Sequence, residues 1–446
     1  MVGAIKGLFD ALGITGLDWL ATLIAYILIT TIILIVTPVT FMLQTWFERR
    51  MVARMQDRLG PNRVGPAGLL QAVADGVKMF TKEDITPRAA DRYVHLLAPV
   101  VAVVPVMTLF AVIPWGRGLA PSDTNISVLF VVAISSVSAV GLMMGGWGSN
   151  NKFALLGAMR AVAQMVSYEI PAVIALLGMV LFTGTMNLNK YSELQGGLPF
   201  VGGTAGGPDL GLGWFVFTPI GLVGFVIFFI CVLSEGERTP FDIPEADSEI
   251  VAGYMTEYSG MKFAVFYMGQ FLFNYALSMV TAIVFLGGWN GPFVGLFVSW
   301  GLPILGNILS VVYLLIKAWF LFFVMIWLRG AFPRLRVDQL MAFAWKFLLP
   351  LALINIASVA LWVAFMLWGS DQKWTVHLFV FGIDLFGWLA WLETATPLMR
   401  QLFGLVVSGA INGAAFYWLL QINRRPSEET PVELAKDQVF GAASLP

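Results

Sequence analysis

Residues 234–261 read SEGERTPFDIPEADSEIVAGYMTEYSGM and lie between two long apolar runs, 215–233 and 263–286. From 235 to 262 there are seven acids (Glu235, Glu237, Asp242, Glu245, Asp247, Glu249, Glu257) against two bases, Arg238 and Lys262. The whole chain has 27 acids, so about a quarter of them crowd into one loop. Carboxylates this dense raise each other's proton affinity, and beside hydrocarbon they are costly unless they meet water or partners. A solvated acidic loop is the plain alternative. Two features argue against it. Pro240, Pro244, Phe241, Ile243, Ile250, Val251 and Met255 give the segment apolar packing material. Glu235 also closes an apolar run, where a carboxylate marks function by default.

The surrounding composition sets the fold class. The chain has 446 residues, 58% hydrophobic and 12% charged, whereas soluble domains carry about a quarter charged residues. Apolar runs of the roughly 20 residues needed to cross a bilayer fall near 19–43, 96–114, 126–144, 166–182, 215–233, 263–286, 308–328, 347–368 and 402–420. The expectation is therefore an all-α polytopic membrane protein of about nine transmembrane helices. The run 376–392 is short, contains Asp384 and reads as interfacial. No cleavable leader is expected at the N-terminus. Three parts are expected: an eight-helix membrane domain over 1–368, an extension over 369–425 with the ninth span, and a polar disordered tail over 426–446.

Lys and Arg set orientation. Alternate loops hold seventeen of them on one side, at 49–92, 152–160, 238–262 and 329–346, against five on the other. The richer side is expected to be cytoplasmic, with the N-terminus outside and the C-terminus inside. The expected location is a bacterial cell membrane. One cysteine, Cys231, and two distant histidines, His95 and His377, cannot build an iron–sulfur or structural zinc site. No metal, flavin or nucleic acid is expected on this chain.

The remaining loops on the basic side carry the chemistry. The first reads FERRMVARMQDRLGPNRVGPAGLLQAVADGVKMFTKEDITP. Gly60-Pro61 and Gly65-Pro66 mark turns. Residues 67–80 then have helical periodicity, with Leu69, Leu70, Val73, Val77 and Phe80 on one face and Gln71, Asp75 and Lys78 on another. This predicts an amphipathic helix on the membrane surface, with a simple lipid anchor as the alternative. In the second loop Arg160 and Gln164 enter a span, and Glu169 lies deeper, two residues before Pro171. The missing proline N–H predicts a broken helix beside a buried acid, a proton-relay arrangement whose alternative is a snorkelling carboxylate. Lys317 is the one base deep in an apolar run, and a buried ammonium must find a carboxylate or shed its proton. Arg329, Arg334 and Arg336 follow the end of that run and double as topology signals. Lys317, Asp75, Glu169, Glu235 and the acidic loop are all expected in the cytoplasmic half.

The strings FERR…RLGPNRVGP, GLLQAVADGVKMFTKE, MRAVAQMVSYEIP, SEGERTPFDIPEADSEIVAGYMTEYSG and RGAFPRLRVDQLMAFAWK occur in order over about residues 19–368. Together they resemble the family of quinone-channel membrane subunits of respiratory complex I, the NADH:quinone oxidoreductase. The resemblance implies quinone as substrate, with the redox chemistry on partner subunits. It implies contacts with other membrane-arm subunits, with the peripheral iron–sulfur and quinone-site subunits, and with membrane lipid. By the same resemblance, Arg49 and Arg58 belong to the quinone channel, to which Arg160 at the entry of its span is added. Asp75, Glu169, Glu235, Arg238, Asp242, Glu245, Asp247 and Glu249 belong to the polar proton-coupling chain, and Arg329, Arg334 and Arg336 pair with its acidic loop. Lys317 is assigned to that chain on its place deep in an apolar run. The alternatives are a membrane anchor of a related membrane-bound hydrogenase and a secondary transporter; the paired broken helices the latter needs are not apparent. The chain departs from the family at Gln270, where a glutamate is usual, and in the extension past 368. With Asn274 and Ser278, Gln270 makes a polar stripe on an apolar helix, and the expectation is that water bridges the missing acid there; the alternatives are an acid supplied by another helix or a neighbouring subunit, and a stripe that only bonds a neighbouring helix.

Overall fold

The computed structural model describes residues 18–197, 211–243, 251–300, 302–367 and 397–424, and these contain helices and turns but no strand. In chain order the helices are α1 (Asp18–Met55), α2 (Gln71–Thr81), α3 (Arg92–Val112), α4 (Ser127–Gly148), α5 (Lys152–Thr183), α6 (Leu188–Leu194), α7 (Pro219–Glu235) and α8 (Gly260–Phe285). They continue with α9 (Val294–Ser299), α10 (Pro303–Ala331), α11 (Val337–Phe343), α12 (Leu349–Leu367) and α13 (Pro397–Arg424). A single π turn, Ala344–Leu348, joins α11 to α12. Eight segments among the described residues are long and apolar enough to cross a membrane, and α7 is a shorter apolar helix. The fold is an all-α polytopic membrane protein. Glu245, Asp247, Glu249, the run 376–392 and the tail 426–446 lie outside the described residues.

The core is built around α8. From Phe271 to Phe285 every residue of this helix is buried, and it touches α1, α2, α3, α6, α7 and α10. Enclosure on all sides explains why its polar residues face protein, where each needs a partner. The flank of α1 is the opposite case: Tyr26, Ile27, Leu34 and Ile35 are exposed, as an apolar surface facing lipid or another subunit would be.

Helix α7 has 17 residues. At about 1.5 Å per residue it spans roughly 26 Å, less than the hydrocarbon thickness of about 30 Å. One end must stop short of the interface, and Glu235, its last residue, is buried. Gln164 of α5 fixes that end by donating to the carbonyls of Ser234 (2.8 Å) and Phe241 (2.7 Å).

Two local expectations change. The surface helix starts at Gln71 rather than 67, because Pro66–Gly68 forms a tight turn with Ala67 at φ 54°. Gly68 has φ 77°, and a Cβ there would collide with the Pro61 carbonyl oxygen, so the turn needs glycine. Helix α5 is also not broken at Pro171: it runs continuously from Lys152 to Thr183. The carbonyl that proline leaves unpaired is tolerated inside a long, well-packed helix. Glu169 is half-buried rather than buried.

Helices α12 and α13 run antiparallel. Phe347 meets Phe416, Asn355 meets Asn412, and Trp362 meets Gly404. Asn412 donates to Asn355 Oδ1 (3.1 Å) and Ser358 Oγ (3.0 Å), all buried.

Candidate functional site

The site begins where α1 meets the acidic loop. Glu48, near the end of α1, is buried, and its Oε1 accepts hydrogen bonds from Arg238 Nη1 (2.6 Å) and Arg329 Nη1. The Arg238 guanidinium also lies over the Phe271 ring, 4.2 Å from its centroid. Buried this deep, the carboxylate and the guanidinium each need the other as a partner. Part of the set remains open: Glu48 Oε2, Arg238 Nη2 and both amide atoms of Gln44 are buried with no hydrogen-bond partner among the described residues.

These groups adjoin a cleft of about 810 Å³ whose walls include Glu48, Arg49, Arg58, Tyr267, Phe271 and Arg329. The volume is in the range of small-molecule sites, but the lining is mixed: Glu48, Arg49, Arg58 and Arg329 are charged, with Tyr267 and Phe271 supplying the aromatic part. Arg49, on the rim, pairs with Asp75 of α2 at 2.5 Å. Gln71 and Lys78 add contacts to the same carboxylate at 3.3 and 3.6 Å. Partial burial raises the proton affinity of Asp75, but the hydrogen bond and charge of Arg49, with Gln71 and Lys78, outweigh it and hold the carboxyl below its ordinary range. The surface helix is thus pinned to the cleft. Arg58, also in the wall, bonds Gln56 at 2.7 Å.

Behind the arginines lies a second group of acids. Glu237 is buried, and its Oε2 accepts from Tyr254 (3.1 Å) and Gln270 (3.3 Å). Asn274, one turn further along α8, donates to the Gly236 carbonyl at 3.0 Å. A Cβ on Gly236 would run into Asn274 Oδ1, so this approach requires glycine. The stripe on α8 therefore grips the acidic segment directly, and the carboxylate facing Gln270 comes from the loop. A void of about 30 Å³ touches Glu235, Glu237, Gln270 and Ser138, enough for one water. Glu169 accepts a hydrogen bond from Ser136 and is close enough to Glu235 for their charges to interact.

Asp242 is buried and pairs with Arg334 at 3.2 Å. Burial dominates, so its carboxyl is pushed above the ordinary range despite Arg334, Arg329 and Arg238. Arg329 departs from expectation: its ion pair is with Glu48 on α1, because the end of α10 lies over α1 there. Arg336 opens α11, and its backbone N–H donates to Gln339 at 3.4 Å. Arg160 is half-buried on α5.

Lys317 is the clear correction. It does not sit among the acids. Its Nζ donates to the carbonyls of Gly288 (3.0 Å) and Asn290 (2.5 Å), in the loop that follows the far end of α8. Backbone dipoles turned inward by that loop take the place of the expected carboxylate. Two residues were missed by sequence reasoning, Glu48 and Glu237. The rule that singled out Glu235, a carboxylate at the end of an apolar run, applies equally to Glu48. Glu237 carries no such signal. Among the described residues no three His, Cys, Asp or Glu side chains are grouped to hold a metal ion.

Residues 27–360 match the NADH dehydrogenase family. The chain is 43% identical over 343 residues to the H subunit of NADH-quinone oxidoreductase from Dehalococcoides mccartyi (strain CBDB1), covering 77% of this chain and 87% of that protein. It is 46% identical over 314 residues to the protein of that name from Carboxydothermus hydrogenoformans, covering 70% and 81%. With the Chlorobaculum parvum protein of the same name it shares 44% over 321 residues, 71% of this chain and 86% of that one. Helix α13 lies beyond the residues that match the family.

Proposed function

The chain belongs to the NADH dehydrogenase family, and from that premise we propose that it is the membrane subunit through which quinone reaches its reduction site and by which that reduction drives proton movement. It is a multi-pass bacterial membrane subunit of NADH:quinone oxidoreductase, and the redox centres reside on other subunits of that complex.

The observation that carries this reading is the cleft beside Glu48, with acids behind it linked by hydrogen bonds to the same loop. A quinone headgroup is flat and apolar with two carbonyl acceptors. Arg49 and Arg329 supply donors at the cleft wall, and Tyr267 and Phe271 supply aromatic faces. The exposed apolar flank of α1 suits the isoprenoid tail. Reducing a quinone takes up two protons, so the chemistry next door alternately creates and removes charge near Glu48 and Arg238. Arg238 lies on the same loop as Glu237, which bonds Gln270, and the small void joins Glu237 to Glu235. A water there gives the two carboxylates a path for a proton. Asp75, by contrast, acts at the cleft rim through Arg49, and Asp242 acts through Arg334. On the orientation expected from the basic loops, this end is cytoplasmic and the Lys317 end is outer.

A photoreactive quinone analogue, cross-linked in the assembled enzyme, tests the channel. It is expected to label residues 45–61 or 267–271 and to be displaced by excess quinone. Label confined to other subunits would remove the channel from this chain.

Two further outcomes follow from the polar chain. Gln270→Leu is expected to lower the protons moved per electron while leaving the content of the complex unchanged, and Gln270→Glu is expected to be tolerated. Proton yield is read in proteoliposomes with a pH-sensitive dye. An unchanged yield in Gln270→Leu would reduce the stripe to helix packing, which polar side chains in membranes also serve. Arg334→Ala is expected to lower quinone-coupled turnover, since it strips Asp242 of its one direct ion-pair partner among the described residues. Arg334 is 42% exposed, so solvent moderates the loss. Adding Asp242→Asn should recover part of it. No recovery in the double variant would mean that Arg334 acts elsewhere.

A further inference from the structure

Lys317 carries the next step. It is buried, 7% exposed, on a helix in the membrane. Two backbone carbonyls and the face of Trp214, 4.4 Å from Nζ, surround its head. No carboxylate lies within ion-pair distance of it among the described residues, and Glu193 on the neighbouring α6 is exposed. The seat is built rather than incidental. Gly287 and Gly288 have φ 81° and 53°, and a Cβ on Gly288 would collide with Ser192 Oγ. Only glycine permits the turn that aims these carbonyls inward. Asn290 ties the loop to the Ser192 carbonyl at 3.3 Å, and Gln195 ties the end of α8 at Ile283 at 2.9 Å.

An ammonium has three N–H bonds, and this seat uses two. A neutral amine keeps two, so both carbonyl bonds survive loss of a proton. A salt-bridged lysine has no such freedom, because deprotonation would abandon a buried carboxylate. Polar side chains also lead here: Gln270, Asn274, Ser278 and Thr281 climb α8 from Glu237 towards this loop. Ser278 and Thr281 donate to the carbonyls of Asn274 and Leu277, both at 2.7 Å, which leaves their hydroxyl oxygens able to accept. Asn274 Oδ1 and Ser192 Oγ are buried without a partner among the described residues.

We propose that Lys317 is the proton-releasing group at the end of α8 opposite the acidic loop, a step of proton transfer beyond the quinone side of the enzyme. This rests on the proton-coupling reading above. The ammonium gives one proton to water at that face and becomes a neutral amine, still bonded to Gly288 and Asn290. A proton arriving along the α8 stripe restores the ammonium, so nothing but a proton enters or leaves. A purely structural clamp needs the positive charge and the two bonds, and needs no release.

The test compares Lys317→Arg and Lys317→Met in the assembled enzyme, reconstituted in proteoliposomes. Arginine keeps charge and donors but does not give up a proton. Both variants are expected to oxidise NADH with quinone and to move fewer protons per electron than the parent enzyme. A normal ratio in Lys317→Arg overturns the proposal in favour of a clamp. If arginine prevents assembly, Lys317→Met decides: a lowered ratio supports release, and a normal one excludes it. Glu235→Gln separates the two readings. If it pumps normally, the proton chain itself fails; if it does not while both Lys317 variants do, only this inference fails.

Discussion

Glu48→Ala is expected to remove most assembled enzyme from the membrane. The carboxylate is the shared acceptor of Arg238 and Arg329. Its side chain and that of Arg238 are 6% and 7% exposed, so water cannot replace the lost partner. Breaking a buried pair by deleting one member costs roughly 3–5 kcal/mol. At about 1.4 kcal/mol per factor of ten, the folded-to-unfolded equilibrium constant falls by roughly two to three and a half orders of magnitude, a large share of the marginal stability of a folded chain. The Arg238 head is held over Phe271, and Asp242, the other carboxylate whose charge it feels, is already paired with Arg334. The measurement is the amount of this chain in membranes, with the thermal midpoint of purified complex beside it. Glu48→Ala combined with Arg238→Leu is expected to recover the content but not the turnover, because an apolar pair fills the space without supplying a charge to the cleft. A single Glu48→Ala variant that accumulates and unfolds like the parent would show that the pair is dispensable to the fold.

Glu235→Gln, and with a smaller effect Glu169→Gln, is expected to lower quinone-coupled NADH oxidation, for Glu235→Gln by about a hundredfold, the lower end of the range for loss of a positioned proton-transfer group. The amide keeps the volume, so Gln164 can still hold the end of α7 and assembly should be normal. What disappears is the ability of that atom to take and give a proton beside Glu237 and the small void. Glu169 is half-buried and bonded to Ser136, so a neighbouring water can serve in its place. Oxidation of NADH by a soluble artificial acceptor should be unchanged in both, since the redox centres lie on other subunits. Full coupled turnover in Glu235→Gln at normal content would defeat the relay through α7.

The spans were readable because hydrocarbon tolerates so few polar residues that a run of apolar ones has one physical meaning. All nine expected runs correspond to helices here, including the ninth, which packs antiparallel on α12. The pairing of Asp75 with Lys78 follows from spacing on a helix, but its stronger tie to Arg49 is a tertiary contact with no local signature. Glu48 was hidden by its neighbours: in FERR the arginines dominate the reading, and a lone acid beside them looks like surface charge. Glu237 was hidden by its company, one acid among seven. Its backbone at φ 50° turns the side chain back toward Tyr254 and Gln270, and no residue type announces such a turn at a glutamate. Lys317 was misplaced because sequence offers side-chain partners only. The groups that hold it are carbonyls, which every residue possesses.

The antiparallel contact of α12 and α13 bears on how the chain can be taken apart. Leu367 and Pro397 lie at the same end of the bundle, so a cut anywhere in 368–396 divides the protein into two polypeptides without severing a described helix. What then holds α13 is its own surface: Asn412 on Asn355 and Ser358, Phe416 on Phe347, Gly404 against Trp362. Docking changes from an event within one molecule, favoured by a tether, to an association between two, set by how much of each is expressed. Supplied as a separate gene, the segment from Pro397 becomes a titratable part. The activity of the enzyme can then be measured as a function of its occupancy, which a simple truncation can never do.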